Sequence, residues 1–179
     1  IRLYASCADE LKSSELYRND LIEFVSYYVA AKAENFYKQA LKDDSENRVL
    51  AAQRNLQQTV DLLMDVDKLL ASHPLYRLEE WVELARNSGT TLQEKDAYEA
   101  NAKRLITSWG GIQEDYAARF WSGLIKDYYI PRIQLYFTKG RNKIREWEEQ
   151  WITSPWSNST TPFDDPVEAA LSLIEKTNK

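Results

Sequence analysis

Cysteine and histidine are almost missing from this chain. Its 179 residues hold one of each, Cys7 and His73, and a single methionine. One cysteine excludes an intramolecular disulfide, and nothing around Cys7 supports a catalytic thiol. One histidine, in Ser72-His73-Pro74, does not make a zinc site without a cysteine cluster. A Ser/His/Asp centre would have to use that same histidine, and no Gly-x-Ser-x-Gly turn accompanies it. No axial ligand pair and no Glu-x-x-His pattern exists for a cofactor-carrying bundle. Neither a metal nor a cofactor is expected.

Glycine and proline are also scarce, five of each, and β-branched residues are few. That favours long helices over many short strands. There is no apolar run near the ~20 residues a membrane span needs. Gly-rich phosphate loops are absent. The net charge is −5, and the one basic segment, Lys139 to Arg145, is mild, so nucleic acid is not an expected partner. No signal peptide is present and the first residue is Ile1, which reads as a piece of a longer or processed protein.

The composition is 44% hydrophobic and 28% charged, which describes a globular chain. The length suits one domain, or a domain plus a tail. Residues 3–12 allow a short helix, broken by Ser13-Ser14. Leu16 to Leu41 is strongly periodic, and Lys42 to Ser45 reads as the turn after it. Asn47 to Leu70 holds the same period, so the two runs form an antiparallel pair. Ser72 is placed to cap a third helix, with Pro74 in its first turn and Gly89 at its end. Thr91 and Glu94 fit a capping box for the next one. Gly140 marks a further helix end, Trp147 and Trp151 share a face after it, and Asp164 or Asp165 caps the last helix. Asn158-Ser159-Thr160 matches a glycosylation sequon. The predicted architecture is all-α, an irregular bundle of about six to eight helices, several long and antiparallel.

The chain is organised around Trp109 to Phe137. This stretch holds eight of the 22 aromatic residues and three of the five glycines. Its rings keep a helical period: Tyr116, Phe120 and Leu124 on one stripe, Trp121, Ile125 and Tyr129 on another. Read that way it is one long core helix that passes Gly123, where a neighbour comes close, and kinks at Pro131. Its first turn allows a second reading, contact with a ligand. Trp109 precedes Gly110-Gly111 between two helical patterns, and sugar rings stack on exposed indole faces. Of the 28 carboxylates, none stands out as half of an acid–base pair. Glycosidases hold two such groups ~5–9.5 Å apart.

Several ordered motifs resemble those of a known family. They are Ala97-Tyr98-Glu99-x-Asn101, Leu105-Ile106-Thr107-x-Trp109-Gly110, Asp115-Tyr116-Ala117 and Tyr128-Tyr129-x-Pro131-Arg132. Upstream, Tyr17-Arg18-Asn19-Asp20-Leu21, Leu70-Ala71-Ser72 and Trp81-x-x-x-Ala85-Arg86 fit too. The family is the α-N-acetylglucosaminidases of glycoside hydrolase family 89, and the resemblance covers about residues 10–138. Between Trp109 and Tyr116 this chain is about two residues shorter than the family pattern, so no roles are carried over to Ile112 and Gln113.

The resemblance implies a C-terminal helical domain that packs on a TIM-like barrel of the same polypeptide. The implied reaction is exo-hydrolysis of terminal α-linked N-acetylglucosamine, with retention, from glycans that include heparan-type glycosaminoglycans. Both catalytic glutamates belong to the barrel, so no catalytic residue is expected here and the chain alone should be inactive. Trp109 and Tyr116 are the implied sugar contacts, and Arg18 and Asp20 the implied cleft or interface support. The implied location is secreted or periplasmic in a bacterium, lysosomal in an animal. The rival reading is a free-standing helical binding or interaction module.

Overall fold

The computed structural model describes residues 1–109, 115–157 and 159–178. Gly110-Gly111, Ile112, Gln113 and the sequon's Asn158 lie outside the described residues. Those described form the all-α fold that the periodicity predicts. They divide into two compact units, Ile1–Leu75 with Thr160–Lys179, and Tyr76–Ser159.

The first unit is built on a helical hairpin. Two short helices, α1 (Arg2–Ala5) and α2 (Ala8–Leu11), precede α3 (Glu15–Ser45) and α4 (Val49–Leu70), with α9 (Pro166–Lys176) returning against the pair. Ser14 starts α3 by accepting the Tyr17 N–H, and Asp165 starts α9 by accepting the N–H groups of Val167 and Glu168. Leu21, Ile22, Val25 and Val29 of α3, with Leu62, Val66, Leu69 and Leu70 of α4, form the buried seam. Leu173 and Ile174 of α9 are buried as well.

The α3–α4 turn comes later than the polar run suggests. Lys42 to Ser45 is helical, and the chain reverses at residues 46–48, where Asn47 has φ 58°. Asp43 explains the extension. Its buried carboxylate accepts from Arg48, from Gln39 Nε2 at 2.8 Å and from Asn55 Nδ2 at 2.8 Å. These bonds hold its pKa below the ordinary value, the Arg48 bond contributing most. Asn is among the residues that tolerate the left-handed region best.

The second unit contains α5 (Leu78–Asn87), α6 (Leu92–Leu105), α7 (Ile130–Lys139) and α8 (Ile144–Thr153), with a π-turn at Ile125–Tyr129 and a 3-10 turn at Arg141–Lys143. The Thr91–Glu94 capping box is formed as the sequence predicts. Gly140 ends α7 with φ 76°. Gly89 serves a different purpose from the predicted helix cap. A Cβ there would stand 2.7 Å from the Lys95 nitrogen, so glycine lets α6 begin close by.

Two further expectations are corrected. The third helix begins at Leu78, not at Ser72. The Leu78 N–H donates to the Ser122 carbonyl at 3.0 Å, and the Ser122 N–H to the Tyr76 carbonyl at 2.8 Å. That two-bond bridge needs an extended chain at Arg77, which has φ −124° and ψ 124°. The long aromatic helix is likewise interrupted. Residues 115–123 are turn and extended chain, and Gly123, with φ 83°, directs the chain into the π-turn. Pro131 lies in the first turn of α7. Its ring would clash with the preceding turn of a regular helix. The wider turn before it, in which the Ile130 N–H reaches back to the Ile125 carbonyl, relieves that clash.

Candidate functional site

The core of the second unit sets the site's geometry. Leu78, Val82, Ile106, Leu124 and Tyr128 form a buried cluster. Trp81, Trp121, Trp147, Trp151 and Trp156 pack around it. The sixth tryptophan, Trp109, is not among them. It stands just past the end of α6, half-buried, with φ 54°. Its N–H donates to the Arg104 carbonyl at 2.8 Å, which fixes where the chain leaves the helix.

Asp115 also has a left-handed backbone, φ 60°. Tyr116 follows, 75% exposed, and its ring meets Trp109 edge to face at 5.6 Å between centroids. The predicted pair is therefore brought together. The helical stripe in which Tyr116 was placed is not formed, and that is why its ring is available at the surface.

Below this pair lies a polar network. Arg132 Nη2 lies 3.2 Å from Asp115 Oδ2, and Arg132 Nε lies 2.8 Å from Glu148 Oε1. The Tyr128 hydroxyl donates to the same Glu148 oxygen at 2.9 Å, and the Arg132 guanidinium lies over the Tyr128 ring. Burial opposes the charge on Arg132. Tyr128, Asp115 and Glu148 outweigh it and hold its pKa above the ordinary value. Burial, aided by Glu148, pushes the Tyr128 phenol well above its usual range. Tyr129 is pushed up to about 12, mainly by burial, and donates to the Arg119 carbonyl at 2.9 Å. Two of the sequence motifs thus meet: Asp115 of the first is held by Arg132 of the second.

A second network supports α6 from inside. Glu99, 2% exposed, accepts from Arg86 at 2.6 Å, from Lys103 at 3.2 Å and from the Trp156 N–H at 2.6 Å. The ammonium of Lys103, also buried, donates to the carbonyls of Trp151 and Ser154 and lies over the Trp151 ring. Burial lowers its pKa, and Glu99 works in the opposite direction. Trp156 Nε1 donates to Asp127 at 2.9 Å.

Arg18 and Asp20 belong to the first unit and are described within it. They are two residues apart on a helix, so their side chains do not face each other. Arg18 donates to the carbonyls of Lys12 and Ser13 at 2.9 and 3.0 Å, tying down the chain before α3. Asp20 accepts from the Tyr4 hydroxyl at 3.3 Å. Sequence reasoning gave no role to Asp115, Arg132, Glu148 or Lys103. For the last, the i, i+4 spacing from Glu99 was a signal. The link from Asp115 to Arg132 and on to Glu148 had none, because three separate segments supply it.

Chemically, the corner at Trp109 and Tyr116 presents an indole and a largely exposed phenol. Its two carboxylates, Asp115 and Glu148, are both engaged by Arg132. Among the described residues no helix is long and apolar enough to cross a membrane, and no cluster of metal-binding side chains occurs.

Fold and corner together define a class: an all-α domain that carries an exposed aromatic corner beside a tryptophan-rich core. The sequence profile described as "Alpha-N-acetylglucosaminidase (NAGLU) C-terminal domain" matches residues 1–176. The chain belongs to this family. It is 30% identical over 138 residues to human α-N-acetylglucosaminidase, covering 75% of this chain and 19% of the relative. Its fold is similar to part of a family 89 glycoside hydrolase from Clostridium perfringens in complex with PUGNAc. The TM-score is 0.83 at 21% identity, over 97% of this chain and 22% of the other. A Clostridium perfringens structure in complex with its substrate GlcNAc-α-1,4-galactose gives a TM-score of 0.80 at 22% identity, with the same coverage. The chain thus spans about a fifth of the length of the relatives it matches.

Proposed function

We propose that this chain is the C-terminal helical domain of an exo-acting, retaining α-N-acetylglucosaminidase. It forms one wall of the active-site cleft, and the catalytic glutamates lie on a barrel domain of the same polypeptide. The substrate is terminal α-linked N-acetylglucosamine on glycans, heparan-type glycosaminoglycans among them. The enzyme acts outside the cytoplasm, secreted or periplasmic in a bacterium and lysosomal in an animal.

One observation carries the assignment. Five tryptophans serve the core of the second unit, and Trp109 instead pairs with the exposed Tyr116 on motifs of the family. An indole face laid over the C–H face of a sugar excludes water, and a phenol supplies a directed hydrogen bond. Both position the ring while the barrel's carboxylates act on it, and positioning contributes to rate. A partner domain also has an apolar face to cover. Leu16, Phe24 and Tyr27 share one side of α3, at 72%, 46% and 52% exposure, and Asp20 lies on the same stripe. Arg18 supports that side by fixing the chain ahead of the helix.

The test is release of an aryl aglycone from an α-N-acetylglucosaminide, by this chain alone and by the longer polypeptide that includes the barrel. Activity confined to the longer polypeptide is expected. Activity in this chain alone would require a catalytic pair among its own carboxylates and overturn the reading. If neither is active, the free-standing interaction module becomes the better account.

A further inference from the structure

We propose that Arg132 is a positioning residue for the sugar-facing pair, acting through Asp115 to set the angle of Tyr116 against Trp109. This inference rests on the sugar-facing role proposed for Trp109.

The geometry has three parts. First, Trp109 has φ 54° and Asp115, the residue before Tyr116, has φ 60°, both in the left-handed region. Such a conformation is uncommon outside glycine and persists where the surroundings fix it. Trp109 is fixed from the helix side by its bond to the Arg104 carbonyl. Asp115 is fixed from the other side by Arg132.

Second, Arg132 is itself held. Nε faces Glu148 and Nη2 faces Asp115, so one rigid guanidinium spans two carboxylates on different segments. Tyr128, fully buried, locks Glu148 through its hydroxyl. Orientation therefore passes from the core outward: Tyr128 sets Glu148, Glu148 sets Arg132, and Arg132 sets Asp115. Tyr116 is the next residue in the chain.

Third, the outermost link is separable from the inner ones. The Asp115 carboxylate is 41% exposed and that of Glu148 12%. Removing the outer partner leaves the buried pair intact. Asn tolerates left-handed backbone as well as Asp does, so Asp115→Asn removes the charge without forcing the chain to move. Lysine cannot imitate Arg132, because a single ammonium has no fork with which to hold both carboxylates in fixed directions.

The experiment uses the longer polypeptide with its barrel. It measures kcat and KM on an aryl α-N-acetylglucosaminide for Trp109→Ala, Tyr116→Ala, Asp115→Asn, Arg132→Lys and the double variant Asp115→Asn/Tyr116→Ala, with melting temperatures alongside. Trp109→Ala is expected to lower kcat/KM at least tenfold. Asp115→Asn is expected to lower it about three- to tenfold with an unchanged melting temperature, and Arg132→Lys by a similar factor. The double variant should be no worse than Tyr116→Ala alone, since a guide has no effect once the ring it guides is gone. If Trp109→Ala is impaired while Asp115→Asn and Arg132→Lys keep full kcat/KM, the positioning role is wrong and the sugar contact stands. Losses that multiply in the double variant also overturn it, because Asp115 would then act independently of Tyr116. If Trp109→Ala itself is unimpaired, the sugar-facing reading fails and this inference falls with it.

Discussion

Trp109 and Tyr116 meet edge to face, with ring centroids 5.6 Å apart and planes inclined at 62°. Pairs of this geometry contribute roughly 0.5–1.5 kcal/mol beyond area burial. Here one member is half-buried and the other largely exposed. The contact therefore acts more on where each ring points than on stability.

Tyr116→Phe keeps the ring pair and removes the hydroxyl. In the barrel-containing enzyme it should lower kcat/KM about fivefold, the loss of about 1 kcal/mol that one hydrogen bond commonly supplies. Tyr116→Ala removes the ring as well and should cost more. Equal losses in the two variants would assign the whole effect to the hydroxyl and none to the pair.

Gly123→Ala should destabilise the second unit by about 2 kcal/mol. The backbone there has φ 83°, and a Cβ would stand 3.0 Å from the Trp156 ring and 3.3 Å from the Leu78 Cβ. Shrinking the neighbour with Trp156→Ala cannot rescue it, because the dihedral penalty is local. Urea unfolding of the single and double variants decides the point: full rescue would mean that crowding alone matters.

The fold was legible where one period and one kind of cap sufficed. The α3–α4 pair, the Thr91–Glu94 box, Asp165 and Gly140 all follow from local chemistry. The aromatic stretch misled because its rings keep a helical period across residues that are not helical. What breaks the helix is the pair of bonds between Ser122 and Tyr76–Leu78, partners more than 40 positions apart, invisible to a period. Gly123 is a point of close approach, as its place among large residues suggests, but the neighbours are Leu78, brought there by that same bridge, and Trp156, held by its bonds to Asp127 and Glu99. At the candidate site, Trp109 and Tyr116 could be named from their motifs, whereas the link from Asp115 to Arg132 and Glu148 needed three segments in place.

Lys103→Met should destabilise the chain by about 3 kcal/mol, the usual result of removing one partner from a buried ion pair. Glu99 would keep Arg86, but the carbonyls of Trp151 and Ser154 would lose their donor. The melting temperature should fall, and thermal unfolding measures it directly. A double variant with Glu99→Gln should be less impaired than the two losses added together, since each removes the same pair. Strict additivity would mean that Lys103 contributes through its carbonyl bonds alone.

His73 makes stability depend on pH near neutrality. It is buried, and its Nδ1 accepts the Leu75 N–H at 3.1 Å. Burial lowers its pKa, with Glu23 and Asp20 pulling the other way. In the unfolded chain it takes a proton near 6.5, so below that pH the unfolded state binds more protons than the folded one. Its contribution is thus complete above the unfolded value and is lost as pH falls toward the lower folded one. His73→Gln should flatten the fall in unfolding free energy between pH 7.5 and 5. An unchanged slope would move the dependence to other groups.

Glu94 governs a separate, more acidic window. Its carboxylate accepts from the Thr90 hydroxyl and from the N–H groups of Thr90 and Thr91, and its pKa is lowered to about 2, the Thr90 hydroxyl bond contributing most. The folded state therefore holds the charged form, while the unfolded chain protonates near its ordinary value of 4.5. The sign is that of a carboxylate with a depressed pKa: its contribution is complete above about 4.5 and is lost as pH falls toward about 2. Glu94→Gln keeps the length of the capping box but removes the charge, along with the favourable position of an anion at a helix N-terminus. The variant should be less stable than the parent at pH 6, and the difference should shrink steadily as pH falls through 4.5. Urea midpoints at pH 6, 4 and 2.5 measure it. A gap that stays constant across that range would show that the capping bonds depend on the shape of the side chain and not on its charge.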